Sequence, residues 1–178
     1  LMDEVFATRF LTATGYVDAK KIGITGDSYG GFMALMAVGR TPDVWAAAVD
    51  LYGVTDWLAE QAHESPALQQ YDRSLLGDPV KDRKIYEAAS PTTYFSAIKA
   101  PVLVLQGEND VRDPKAQAEL AFETLRKAGK TVDAHYYPGE GHGFAKRENQ
   151  IDALERTVAW FDRYLKKDDS AARNAEPR

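Results

Sequence analysis

Apolar residues gather in four short runs, and between the runs they recur at helical spacing. The runs are Lys21-Ile22-Gly23-Ile24-Thr25, Trp45 to Leu51, Pro101-Val102-Leu103-Val104-Leu105-Gln106 and Thr131 to Tyr137. The third is continuous, as expected of a strand covered on both faces of a parallel sheet. Residues 3–14 predict a helix with Val5, Phe6, Phe10 and Leu11 as its apolar stripe, Asp3 as its cap and Gly15 at its end. Gly30 to Val38 is rich in Ala, Met and Leu and predicts a buried helix closed by Gly39. Pro114 to Ala128 predicts a helix with proline in its first position and Gly129 past its end. In the last helix, Asn149 to Lys167, the spacing of Ile151, Leu154, Val158, Phe161 and Leu165 predicts one core-facing stripe. Residues 54–97 read as irregular, broken at Pro66, Gly77-Asp78-Pro79 and Pro91, with one short helix near 82–89 and a turn before them at Tyr52-Gly53. Residues 168–178 are polar and aperiodic, the pattern of a disordered tail.

Strands alternating with helices imply an α/β fold: a mostly parallel sheet of about four strands with right-handed crossovers, within one domain over 1–167. Composition narrows the chemistry. Twenty-two Lys and Arg against 27 Asp and Glu give a net charge of −5, which argues against a nucleic-acid partner because phosphate neutralisation needs a basic surface. The absence of cysteine excludes disulfides, thiolate metal sites and cysteine nucleophiles. No run approaches 18 apolar residues, so no membrane span is expected. The acidic start, Leu1-Met2-Asp3-Glu4, is unlike a signal peptide and favours the cytoplasm.

The chemistry gathers at the ends of the predicted strands. Gly26-Asp27-Ser28-Tyr29-Gly30 is a G-x-S-x-G sequence between a strand and an apolar helix, the setting of a nucleophile elbow. There Ser28 would project from a sharp turn, Gly26 and Gly30 would keep side chains out of the strand–helix contact, and the Tyr29 backbone N–H would face a developing oxyanion. A serine hydroxyl needs a base. His142 lies between two glycines in a loop after the fourth strand, whereas His135 is a strand residue and His63 falls in the polar irregular segment. The base needs an orienting carboxylate. Asp110 follows the third strand, where α/β sites assemble. Glu108 and Asp113 compete with it, the first reading as a solvated or anchoring side chain and the second as a helix N-cap. The resulting order is Ser28, Asp110, His142.

The chain resembles the C-terminal part of the catalytic domain of the prolyl oligopeptidase family, nearest its acylaminoacyl-peptidase-like branch. The resemblance runs through Gly26-Asp27-Ser28-Tyr29-Gly30-Gly31-Phe32, Gly53-Val54-Thr55-Asp56-Trp57, Leu76-Gly77-Asp78-Pro79, Ser90-Pro91, Gln106-Gly107-Glu108-Asn109-Asp110-Val111-Arg112, Tyr137-Pro138-Gly139-Glu140-Gly141-His142-Gly143-Phe144 and Trp160-Phe161-Asp162-Arg163-Tyr164-Leu165. It implies a truncated or minimal α/β-hydrolase without the family's β-propeller. Ser28, His142 and Asp110 take the nucleophile, base and acid positions, and no metal or organic cofactor is implied. Gln106 departs from the family's frequent His, and Asp113-Pro114 from its usual Val-Pro. The expected activity is hydrolysis of small carboxylic esters through an acyl-enzyme, with a serine peptidase acting on short or N-acylated peptides, and a catalytically poor fragment of such an enzyme, as the alternatives. The sequence Ile22-Gly23-Ile24-Thr25 carries no charge or proline, so as an edge strand it would favour a homodimer or higher homo-oligomer.

Overall fold

The computed structural model describes residues 1–166, so the tail at 168–178 lies outside the described residues. Four parallel strands, β1 (Gly23–Asp27), β2 (Ala47–Leu51), β3 (Val102–Gly107) and β4 (Val132–Tyr137), form one sheet in sequence order. Register runs Thr25 to Val49, Val49 to Leu103 and Leu103 to Asp133. Helix α1 (Met2–Ala13) precedes the sheet. Sequence order with parallel pairing then requires a crossover between each pair of neighbours, supplied by α2 (Tyr29–Arg40) between β1 and β2, by α3 (Trp57–His63), α4 (Pro66–Leu76) and α5 (Arg83–Ala89) between β2 and β3, and by α6 (Lys115–Lys127) between β3 and β4, while α7 (Arg147–Leu165) follows the last strand.

The period of two in a strand divides the core. Val102 and Val104 join Leu35, Val38 and Leu125 on one face of the sheet, while Leu103 and Leu105 join Val49 and Trp160 on the other. Burial of each such side chain stabilises by roughly 1.5–3 kcal/mol. A third cluster, Phe32, Met36, Val54, Trp57 and Tyr86, joins α2 to the segment after β2.

Three expectations are corrected. The apolar stripe of α7 is displaced: Ala153, Trp160, Phe161, Tyr164 and Leu165 pack on the sheet, while Ile151, Leu154 and Val158 are exposed, Leu154 at 64%. The helix turns toward the residues with most area to bury, and the rings of Trp160 and Tyr164 outweigh branched aliphatics. In α1, Val5 and Thr8 are buried while Phe6, Phe10 and Leu11 are exposed, and Leu1 rather than Asp3 occupies the cap position. Thr8 tolerates burial because its hydroxyl donates to the Val5 carbonyl at 2.8 Å. The segment 54–97 is mostly helical, adding α3, α4 and a 3-10 helix (Pro91–Ala97) to the short helix foreseen near 82–89. Asp56 caps α3 by accepting from the amides of Leu58 and Ala59, and Ser65 caps α4, where Pro66 starts the helix instead of breaking it.

Candidate active site

β1 delivers Ser28 into a turn whose backbone only tight packing sustains. Ser28 has φ +56° and ψ −120°, the left-handed side that a non-glycine residue rarely visits. Gly26 is needed there: a Cβ on it would lie 2.5 Å from the Gly30 carbonyl group. Gly30 is different from what the sequence suggests, since a Cβ at Gly30 would meet nothing nearer than Asp27 Oδ1 at 4.0 Å. The close contact is set by Gly26 alone, with the backbone of Gly30 as the surface it meets. The Ser28 amide donates to the Leu51 carbonyl of β2 at 2.9 Å, and its own carbonyl accepts from Phe32, which locks the turn to both sheet and helix. Tyr29 opens α2, so its N–H belongs to the unpaired first turn of a helix, where partial positive charge collects.

Asp110 and His142 come from the loops after β3 and β4, and the two loops are tied together. The Asn109 amide donates to the Glu140 carbonyl at 2.8 Å, and that of Glu108 to Tyr137 at 3.1 Å. The buried Glu140 carboxylate accepts from the Asn149 side chain at 2.6 Å and from the amides of Ala145 and Lys146. The Asn149 hydrogen bond is the main reason its carboxyl is held below the usual range. So pinned, the loop brings His142 Nε2 to 2.8 Å from Ser28 Oγ and Nδ1 to 2.9 Å from Asp110 Oδ2. The edge of Tyr52, itself at φ +43°, packs against the imidazole with ring centroids 4.9 Å apart. Burial acts to raise the Asp110 carboxyl, but hydrogen bonds from His142 and from the amides of Arg112 and Asp113 outweigh it, and its pKa is lowered. Reciprocally, the hydrogen bond to Asp110 raises the pKa of His142 against the effect of burial.

Neither competitor is the hydrogen-bond partner of His142. Glu108 is exposed and pairs with Lys115 at 2.9 Å. Asp113 is no N-cap, because α6 begins after Pro114 without a side-chain cap. Its buried carboxyl turns toward the site, and its pKa rises to about 6, chiefly through burial. His135 is a half-buried strand residue stacked edge-on against Tyr137, and the exposed His63 bonds its own helix at the Ala59 carbonyl.

Residues 1–168 match the prolyl oligopeptidase family. The chain belongs to that family. Among its relatives, the peptidase YuxL of Bacillus subtilis (strain 168) is 32% identical over 153 residues, 84% of this chain and 23% of the relative. Dipeptidyl aminopeptidase BIII of Pseudoxanthomonas mexicana is 31% identical over 83% of this chain and 22% of the relative. A puromycin-hydrolyzing peptidase of Mycobacterium tuberculosis superposes with a TM-score of 0.86 at 30% identity, covering 90% of this chain and 24% of the other. The acylaminoacyl peptidase of Pyrococcus horikoshii superposes at 0.82 and 29% identity, over 91% and 27%. This prolyl oligopeptidase family chain therefore has an α/β-hydrolase fold and spans about a quarter of the length of such relatives.

Two features of this family member are not apparent in the triad motifs. Gln106, fully buried where the resemblance leads one to expect His, donates from Nε2 to Asp110 Oδ2 at 3.2 Å and to the carbonyls of Asp113 and Gly107. Asp110 thus receives His142 and Gln106 on one oxygen and two backbone amides on the other. Gln117 of α6 accepts from the amides of Thr55 and Asp56, both at 2.8 Å, and so staples the turn that sets Trp57 beside the elbow. A glutamine at the end of a buried strand, and one facing inward in an amphipathic helix, were the available signals. Tyr29, Phe32 and Trp57 meet edge to face, with the pairs 5.0 and 5.3 Å apart on either side of Phe32. They wall a cavity of about 270 Å³.

Proposed function

We propose that this chain carries the hydrolytic site of a serine peptidase and cleaves acyl bonds through an acyl-enzyme. The observation that supports it is the continuous hydrogen-bond relay Ser28–His142–Asp110 on a strained elbow. Ser28 Oγ attacks the carbonyl carbon while His142 Nε2 takes its proton, and Asp110 holds the imidazole in the tautomer that leaves Nε2 free to accept. The negative charge that develops on the carbonyl oxygen faces the Tyr29 N–H. His142 returns the proton to the leaving group. It then deprotonates a water that releases the acid and frees Ser28. The family relatives include aminopeptidases and acylaminoacyl peptidases, which favours short peptides as substrates. Small carboxylic esters are a second class, since an alkoxide or phenoxide leaves with less help from the acid than an amine does. Reaction with a fluorophosphonate, followed by peptide mapping, is expected to place one adduct on Ser28. A p-nitrophenyl butyrate burst compared with a panel of peptide amides ranks the two classes. No adduct on Ser28 would reject the reading.

Self-association belongs to the same proposal. β1 pairs only with β2 among the described residues, and Thr25 on it is exposed, as are Leu154 and Val158 of α7. Light scattering behind a sizing column at micromolar concentration is expected to return more than the 19.7 kDa of one chain. A one-chain mass would remove it.

A further inference from the structure

Beside Ser28 lies a group of acidic side chains for which the hydrolytic relay has no use. A small cavity is lined by Ser28, Glu64, Asp72 and Asp113, with the exposed Arg112 at its rim. Asp72 also belongs to the wall of the larger cavity formed by Tyr29, Phe32, Trp57 and Tyr71. Asp72 is 4% exposed, and no N–H or hydroxyl donor reaches its Oδ2. It meets another acid, Glu64, carboxyl to carboxyl. Behind them Glu60 is fully buried with both carboxylate oxygens unpartnered. Arg73, the basic neighbour of Asp72 in α4, turns to Gln61 instead, at 2.9 Å. Buried carboxylates without donors are costly. Keeping several in one wall of a reaction cavity makes chemical sense if something brings the missing positive charge.

The neighbouring walls say what form that charge takes. A bare α-ammonium group needs no apolar cavity of about 270 Å³. A lysine or arginine side chain does: its stem is apolar, and its head is a cation that can also lie on aromatic faces. Tyr29, Phe32 and Trp57 offer that lining, and Asp72 lies in the same wall.

We infer that the cavity beside Ser28 is a subsite for a basic side chain on the acyl side of the cleaved bond, with its stem against Tyr29, Phe32 and Trp57 and its charge on Asp72, supported by Glu64. This rests on the acyl-transfer reading above and adds to it which acyl group is preferred. Asp72 is a specificity residue here and takes no part in bond breaking.

The test compares p-nitrophenyl esters of N-acylated lysine and norleucine, which differ in the ammonium group alone. Preparations are standardised by fluorophosphonate titration, so that misfolded protein is not counted. The wild type is expected to favour lysine by about tenfold or more in kcat/KM, the scale of a hydrogen bond to a buried charge. Asp72→Asn is expected to bring that ratio to about twofold or less, and Glu64→Gln to lower it by a smaller factor. The ratio is taken between two substrates on one preparation, so a general loss of activity does not move it. Equal turnover of both esters by the wild type would overturn the subsite while leaving the hydrolase reading intact. So would a preference for free-amino over N-acetylated leucine ester without any preference for lysine, which would assign the acids to the α-ammonium group. Benzamidine binding followed by calorimetry needs no catalysis. Binding by the wild type that Asp72→Asn abolishes supports the cation site even if Ser28 proves unreactive, and no binding by the wild type counts against it.

Discussion

Asp110 and Glu60 are both carboxylates shielded from water, yet they are shifted in opposite directions. Asp110 accepts four hydrogen bonds, two on each oxygen, and its pKa falls. Glu60 accepts none, and burial, reinforced by the negative charge of Asp113, Glu64 and Asp72, raises its pKa to about 9. Burial penalises the charged form in each case, so the donors decide the outcome. A carboxylate held at the ends of β3 and β4 is a fixed anion ready to orient an imidazole. One held by α3 and α4 keeps a proton or waits for a cation. The same contrast separates the two halves of the site. The loops carrying Asp110 and His142 are cross-linked by backbone and Glu140 hydrogen bonds, whereas the acidic wall has few internal partners.

The contrast breaks most visibly at the triad. Ser28→Ala is expected to lower kcat on a small p-nitrophenyl ester by about 10⁶, and Asp110→Asn by about 10⁴ through loss of the orienting anion. Asp113→Asn, which removes an acid that does not touch His142, is expected to leave kcat within about threefold, the range of a lost contact of under 1 kcal/mol. Steady-state rates on fluorophosphonate-titrated protein make the comparison. Near-full activity in Asp110→Asn with loss in Asp113→Asn would reverse the assignment. A smaller effect is expected from Gln106→Leu, which deletes one donor to Asp110 and leaves its other three. A hydrogen bond of this kind is worth about 1.5 kcal/mol, or roughly tenfold in kcat, with KM little changed. A fall in KM-dependent binding alone would make Gln106 a packing residue instead.

How far these features could be read from the chain depends on whether their cause is local. Ser28 at its elbow, Asp110 after a buried strand and His142 between glycines each follow a strand end, and local spacing carries that information. The parallel sheet was legible for the same reason: each strand announces itself as an apolar run. The facing of α1 and α7 was not, because both helices hold more apolar residues than they bury, and only the surface opposite selects among them. Trp160 won over Ile151 and Leu154 through contacts made across the fold. The helices within 57–76 were hidden behind Pro66, read as a breaker although Ser65 before it is a good cap. The acidic wall was illegible, since Glu60, Glu64 and Asp72 look like solvated charges, and Asp113 like a helix N-cap, until the fold removes their water.

The fixed-anion half of the comparison is sharpened by pH. As the proposed base, His142 must be neutral to accept the Ser28 proton, so kcat/KM is expected to rise with pH through a single step. Asp110 raises the pKa of His142, which puts that step above the ordinary value of about 6.5. In Asp110→Asn the residual activity is expected to show the step moved to lower pH, because the carboxylate that stabilised the imidazolium is gone. A profile flat from pH 5 to 8, with acylation rate-limiting, would remove His142 as the base.

The poised half is tested by stability, where the expected effect is smallest. Glu60 has its ordinary carboxyl pKa of 4.5 in the unfolded chain and about 9 in the fold. Below pH 4.5 both states hold the proton and the group contributes no pH dependence. Between pH 4.5 and 9 the unfolded chain releases its proton while the fold retains it, so the fold binds more protons and loses stability as pH rises. Above pH 9 both states are ionised and the loss is complete. Glu60→Gln removes this slope. The variant is therefore expected to gain in Tm relative to the wild type between pH 5 and pH 8, at about 2–4 °C for each kcal/mol recovered in a chain of this size. Calorimetric melts at the two pH values read the difference directly. A Tm difference that does not change with pH would mean that Glu60 ionises as it does in water. The acidic wall would then be as well satisfied as Asp110, and the contrast between the two halves of the site would fail.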